Sequence, residues 1–150
     1  MSWSQRETEE TDVPEIEFLM VADHAEVVNG KLYLMGGGWT DLRRPRQGAG
    51  ESSPPTHMSI VASILVGWTE TNEVHQLHIA IEDADATERL AEIETAIEMG
   101  RPPGIPPGSD QRALLAVNAG LVFPRPGGYR VVAKLGDHTR SVTFRVHDIT

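Results

Sequence analysis

Asn29-Gly30 stands between two apolar runs in VADHAEVVNGKLYLMGGGWT, residues 21–40, and constrains this chain more than any other pair. A two-residue type I′ turn needs positive φ at both central positions, and Asn-Gly adopts it at little cost. The stretch is therefore expected to form a β-hairpin. Its register puts Val28 opposite Lys31, Val27 opposite Leu32, Ala25 opposite Leu34 and Asp23 opposite Gly36. Side chains alternate along a strand, so Leu19, Val21, Asp23, Ala25 and Val27 share a face with Leu32 and Leu34. His24, Glu26, Lys31 and Tyr33 fall on the other face, which is expected to be partly wet. A one-residue slip would put the whole apolar set in water.

Asp23 is the misfit of this pattern, a carboxylate on the core face. Buried, it must be paired or heavily hydrogen-bonded. Its expected structural role is to accept N–H bonds from the Gly36-Gly37-Gly38 run. The alternative is a ligand or metal carboxylate. His24 points to the opposite face and cannot join it without a bulge.

The same two-residue period runs through the rest of the chain. Residues 57–68 place Met58, Ile60, Ala62, Ile64, Val66 and Trp68 on one face, with Ser59, Val61, Ser63 and Leu65 opposite, a strand suited to cover on both sides. In 73–82, Leu77, Ile79 and Ile81 face inward, and His75 and His78 fall on opposite faces. LAEIETAIEM, 90–99, has helix-favouring composition, yet its strict alternation predicts a strand with an acidic outer face. GRPPGIPPGSD, 100–110, is a stiff, donor-poor path suited to crossing between sheets. Strands follow over 111–123, 129–135 and 141–148, the last with Val142, Phe144 and Val146 inward. The Gly-, Pro- and Arg-rich stretch 41–56 is expected to be one long loop, and the Asp-rich stretch 83–89 a turn. Asp83, Asp85 and Glu88 offer too few oxygens for calcium.

About eight strands without βαβ spacing predict an all-β fold, an antiparallel two-sheet sandwich over residues 15–150. The Gly127–Val131 segment, GGYRV, is similar to the tyrosine corner of immunoglobulin-like sandwiches, where the phenol of a residue such as Tyr129 bonds back to backbone. The inter-sheet disulfide and central Trp of those domains have no counterpart, since the chain has no cysteine. GKLYLMGGGW, GRPPGIPPG and PGGYRVVAKL…FRV together resemble a family of short bacterial proteins of unknown function, over about residues 16–147. That resemblance implies a common fold and supplies no catalytic or binding residues.

Charge bounds the partners. The net charge is −9, of which −5 lies in residues 1–17, where Arg6 stands against six carboxylates. Residues 1–14 read as a disordered acidic tail without the apolar stretch of a secretory leader. An acidic chain argues against nucleic acid and anionic membrane as partners. No run approaches the roughly 18 apolar residues of a membrane span, and the expected compartment is the cytoplasm.

If every connection reverses direction, loops 36–56, 83–89 and 124–128 gather at one end of the sandwich. Asn29-Gly30 and loops 67–72, 100–110 and 137–140 gather at the other. Loops at the end of a rigid scaffold are where such domains bind. The first end would combine Trp39, Arg43, Arg44 and Arg46 with Asp83 and Asp85, a candidate surface for a protein partner. Three function classes follow. The first is a non-catalytic interaction module using those loops or an edge strand. The second is a small-molecule or sugar-binding domain using Trp39 and Trp68, which the count places at opposite ends. The third is a metal-assisted hydrolase using Asp23, His24, His57 or His75. Phosphate-loop, dinucleotide, nucleophile-elbow and H-E-x-x-H motifs are missing, so no cofactor or metal is expected.

Overall fold

The computed structural model describes residues 14–45 and 54–149. Nine strands follow one another in these residues: β1 (Glu15–Val28), β2 (Lys31–Gly37), β3 (Asp41–Pro45), β4 (Thr56–Val66), β5 (Val74–Asp83), β6 (Arg89–Glu98), β7 (Gln111–Leu121), β8 (Gly127–Leu135) and β9 (His138–Ile149). One sheet has the order β2-β1-β4-β7 and the other β3-β9-β8-β5-β6. The fold is all-β, and both sheets bury their inner faces in one core. Residues 90–98 are strand, as their alternation requires, and 99–110 carries the chain from one sheet to the other. The acidic tail, apart from Pro14, and Arg46 lie outside the described residues. Among those residues no helix is long and apolar enough to cross a membrane.

The core follows from the alternation. Met58, Ile60, Ala62, Ile64 and Val66 of β4 meet Leu77, Ile79, Ile81, Val131, Ala133 and Leu135 of the facing sheet. Ile16 and Leu19, three residues apart, both enter this core because a bulge between Ile16 and Phe18 resets the register of β1 on β4. Four aromatic rings close one end. Phe123 lies edge-on to Tyr129 at 4.9 Å and to Phe144 at 5.8 Å, and Trp39 lies edge-on to Phe144 at 5.5 Å. The Tyr129 hydroxyl donates to the Arg125 carbonyl at 2.6 Å, so the phenol is buried without losing its hydrogen bond.

Two expectations fail together. Residues 41–45 are not loop but β3, which runs parallel to β9 with Asp41 beside Arg145 and Pro45 beside Ile149. The sandwich is therefore not wholly antiparallel. This short extra pass also reverses the bookkeeping of ends. The pairing of Ala22 with Ser59 and of Thr56 with Leu121 puts the Asn29-Gly30 tip at the end that holds 83–89 and 122–127. The opposite end holds the start of β1, the Trp68–Glu70 turn and the β8–β9 turn, tied by the Ile16 N–H to His138 Nδ1 bond of 3.0 Å.

The hairpin itself has the expected register, from Val28 opposite Lys31 to Ala22 opposite Gly37, with Asn29 and Gly30 both at positive φ. Its path departs from a flat extension of the sheet. β1 pairs with β4 only as far as Ala22, and Asn118 of β7 holds the continuation, giving its Nδ2–H to the Ala25 carbonyl at 2.8 Å and accepting the Ala25 N–H at 3.3 Å. Ala22, Ala25 and Val61 form a second buried cluster, with Phe18, Met20, Leu32 and Ala116 packed on it. The arm formed by β1 and β2 thus swings across the outer face of its own sheet. Farther along, Ser63 donates to Glu17 at 2.7 Å, and Arg112 grips the same carboxylate with two bonds of 2.6 Å. Strand β4 is covered on both sides, which is why Ser59, Val61 and Ser63 are buried.

Asp23 is exposed, not buried, because the inward face of β1 ends at Val21 where the arm bends away. Its carboxylate lies over Gly36, where a Cβ would collide with it. Gly36 also has φ +58, so both space and backbone conformation exclude a side chain there.

Candidate functional site

The structure divides the loop-end group read from the sequence. Arg44 is buried, with Nε 2.7 Å from Asp148 Oδ1 and Nη1 donating to the Phe123 carbonyl. Trp39 is half-buried on Phe144. Asp83 is buried and organises its turn: it accepts from Thr87 Oγ1 at 2.5 Å, Thr87 N at 2.7 Å, Glu88 N at 3.1 Å and Arg125 Nη2 at 3.0 Å. These three residues are committed to holding the fold. Arg43 and Asp85 are exposed. An open groove of 480 Å³ near them is lined by Thr40, Asp41, Thr143 and Arg145, but Asp41 is already taken by His147 at 2.7 Å.

The Thr87 hydroxyl, then the two turn N–H groups and Arg125, hold the Asp83 carboxyl below its ordinary range. A carboxylate with a lowered folded-state pKa contributes stability that is present above its unfolded pKa and is lost as pH falls through the folded value. Asp83 therefore supports the fold from about pH 4 upward and fails progressively below that. Asp83→Asn is expected to lower the melting temperature at neutral pH. It should also flatten the acid limb of a plot of melting temperature against pH; a variant curve parallel to wild type would refute the assignment.

The residues of the hydrolase reading do not come together. His75 is engaged at the Trp68 end, its Nε2 2.8 Å from the Glu70 carbonyl. Asp23 lies over Gly36. Only His24 and His57 meet, stacked with Nδ1 and Nε2 3.1 Å apart, while Glu26 approaches the far nitrogen of His24 at 3.7 Å. Among the described residues no three His, Asp or Glu side chains are placed to hold a metal ion. The two tryptophans stand apart as well, and the Trp68 ring is covered by the Arg101 guanidinium at 4.1 Å.

The largest concentration of exposed apolar side chains is on the arm, spread over both its faces. Val27, Val28, Tyr33, Leu34 and Met35 all reach solvent, Tyr33 at 56% and Met35 at 72% exposure. The same strand, β2, ends its sheet: it pairs with β1 on one side and, among the described residues, with nothing on the other. Such an edge invites further strand pairing unless charge, proline or a cover blocks it. Two of the other edges are guarded by charge, and the third, β7, exposes no large apolar side chain. β6 carries Arg89, Glu92, Glu94 and Glu98; β3 carries Asp41, Arg43 and Pro45; β7 is mostly half-buried and carries Arg112. Across Leu32–Met35, β2 has no charge at all.

A profile described as a family of unknown function, DUF6941, matches residues 17–147. The chain belongs to this family. Curated proteins give no match. The span of the DUF6941 match takes in both sheets and the whole arm, so the bare edge β2 lies within the family domain.

Tyr33, Leu34 and Met35 are not among the candidate binding residues read from the sequence. One signal was there to use. Leu32–Met35 is a run of four apolar residues, and a strand with one wet face should alternate instead.

Proposed function

We propose that this chain is a non-catalytic interaction module that takes up a protein partner by strand addition along β2. The observation that carries the reading is an edge strand without charge over Leu32–Met35, with Tyr33, Leu34 and Met35 exposed on it and Val27 and Val28 exposed beside it. In strand addition the main chain supplies the hydrogen bonds, and alternate side chains supply specificity. The arm suits that task. Asn118 and the Ala22–Ala25–Val61 cluster fix its inner side, so binding need not order a floppy hairpin. A protein fits better than a nucleic acid, because a chain of net charge −9 repels phosphates.

The test is a Tyr33→Lys/Met35→Lys double variant used as bait beside wild type in an extract of the source cells. Both side chains are exposed, so circular dichroism and melting temperature should stay close to wild type. Proteins retained by wild type should be missing from the variant. Identical retention by the two baits would refute docking through β2.

A further inference from the structure

Resting on that reading, we infer that the partner whose edge fits β2 is a second copy of this chain, paired antiparallel about a two-fold axis through Leu34. In this register Leu34 meets Leu34, Tyr33 meets Met35 of the other copy and Lys31 meets Gly37. The contacts are self-complementary, as a two-fold interface requires. Two aromatic–sulfur pairs flank a leucine pair, and methionine sulfur against an aromatic ring is a favourable contact. Lys31 falls opposite a glycine instead of another lysine.

Charge selects this edge over β6 and β3 for self-pairing. Two molecules of net charge −9 repel each other. β2 contains no carboxylate, and its single charge is Lys31. The β6 edge, paired with itself antiparallel about Ile93, would set Glu92 of each copy against Glu94 of the other. The exposed apolar side chains of β2 itself, Tyr33, Leu34 and Met35 from two copies, offer on the order of 700 Å², a small interface whose dimer forms at high concentration. Pairing would join the two four-stranded sheets into one of eight strands.

The chain contains no cysteine, so one introduced thiol reports on one position. Residues directly opposite in an antiparallel pair have Cβ atoms about 4.5–5.5 Å apart, at the edge of disulfide reach after small adjustment. Leu34→Cys is expected to cross-link into a covalent dimer under mild oxidation, and Ile93→Cys on the β6 edge is not. Wild type and Ile93→Lys should show twice the chain mass by light scattering at high concentration, with Tyr33→Lys/Met35→Lys remaining at one chain mass. A wild type monomeric at every concentration would overturn the inference. So would a dimer that survives the double lysine substitution, or a Leu34→Cys variant that cross-links no faster than Ile93→Cys. The broader docking reading fails separately: if wild type is monomeric yet retains a different protein in a β2-dependent way, only the second-copy inference falls.

Discussion

Phe123→Ala is expected to lower the unfolding free energy by about 4 kcal/mol, the size of a large-to-small change at a fully buried aromatic site. Phe123 has no exposed surface and is the ring on which Tyr129 and Phe144 both pack edge-on. It lies just past β7, where the chain leaves one sheet, so its side chain bridges the layers at this end of the sandwich. Its carbonyl also accepts from Arg44, and a shift of this backbone would loosen the partly buried Arg44–Asp148 pair. For a chain of 150 residues the loss corresponds to a melting temperature lower by about 10 °C. Val122→Ala, next door but half exposed, should cost far less. Thermal melts and urea titrations of the two variants measure both effects. Equal stabilities would show that the aromatic cluster is not what closes this end.

Much of the fold could be read from local pattern. Asn29-Gly30 set the hairpin register, and alternation identified 90–98 as strand against its helix-favouring composition. Local pattern carried no information about β3. Asp41-Leu-Arg-Arg-Pro45 has the charges and proline of a loop, and it is a strand only because β9, a hundred residues later, lies alongside it. Missing that pass assigned the hairpin tip to the wrong end. Arg44 was misread for the same reason. An arginine in a basic loop normally points into water, but β3 delivers this one to Asp148 and to the Phe123 carbonyl.

The bend of the arm was hidden more deeply. Alternation says which residues share a face of a continuous sheet, and here the sheet does not continue. Past Ala22 the strand leaves β4, so Asp23, expected inside, is exposed, and Val27 and Leu34, also expected inside, reach solvent. Ala25 remains buried, but against Val61 in the outer cluster and not in the main core. The candidate site emerged from that departure: loop-end residues proved to be structural, and the arm became the exposed surface.

Engagement of β2 should leave a large local mark. Amides on a bare strand edge exchange readily with solvent, and ladder hydrogen bonds along that edge should slow them on the order of 100-fold. Strands β6 and β3, edges guarded by charge, should exchange as before. The direct measurement is residue-resolved amide hydrogen exchange of the full chain, dilute and free against concentrated or partner-bound. Docking through the arm predicts protection concentrated in Lys31–Gly37, with loops 83–89 and 122–127 unchanged. Protection in those loops instead, with β2 exchanging equally fast in both states, would contradict it.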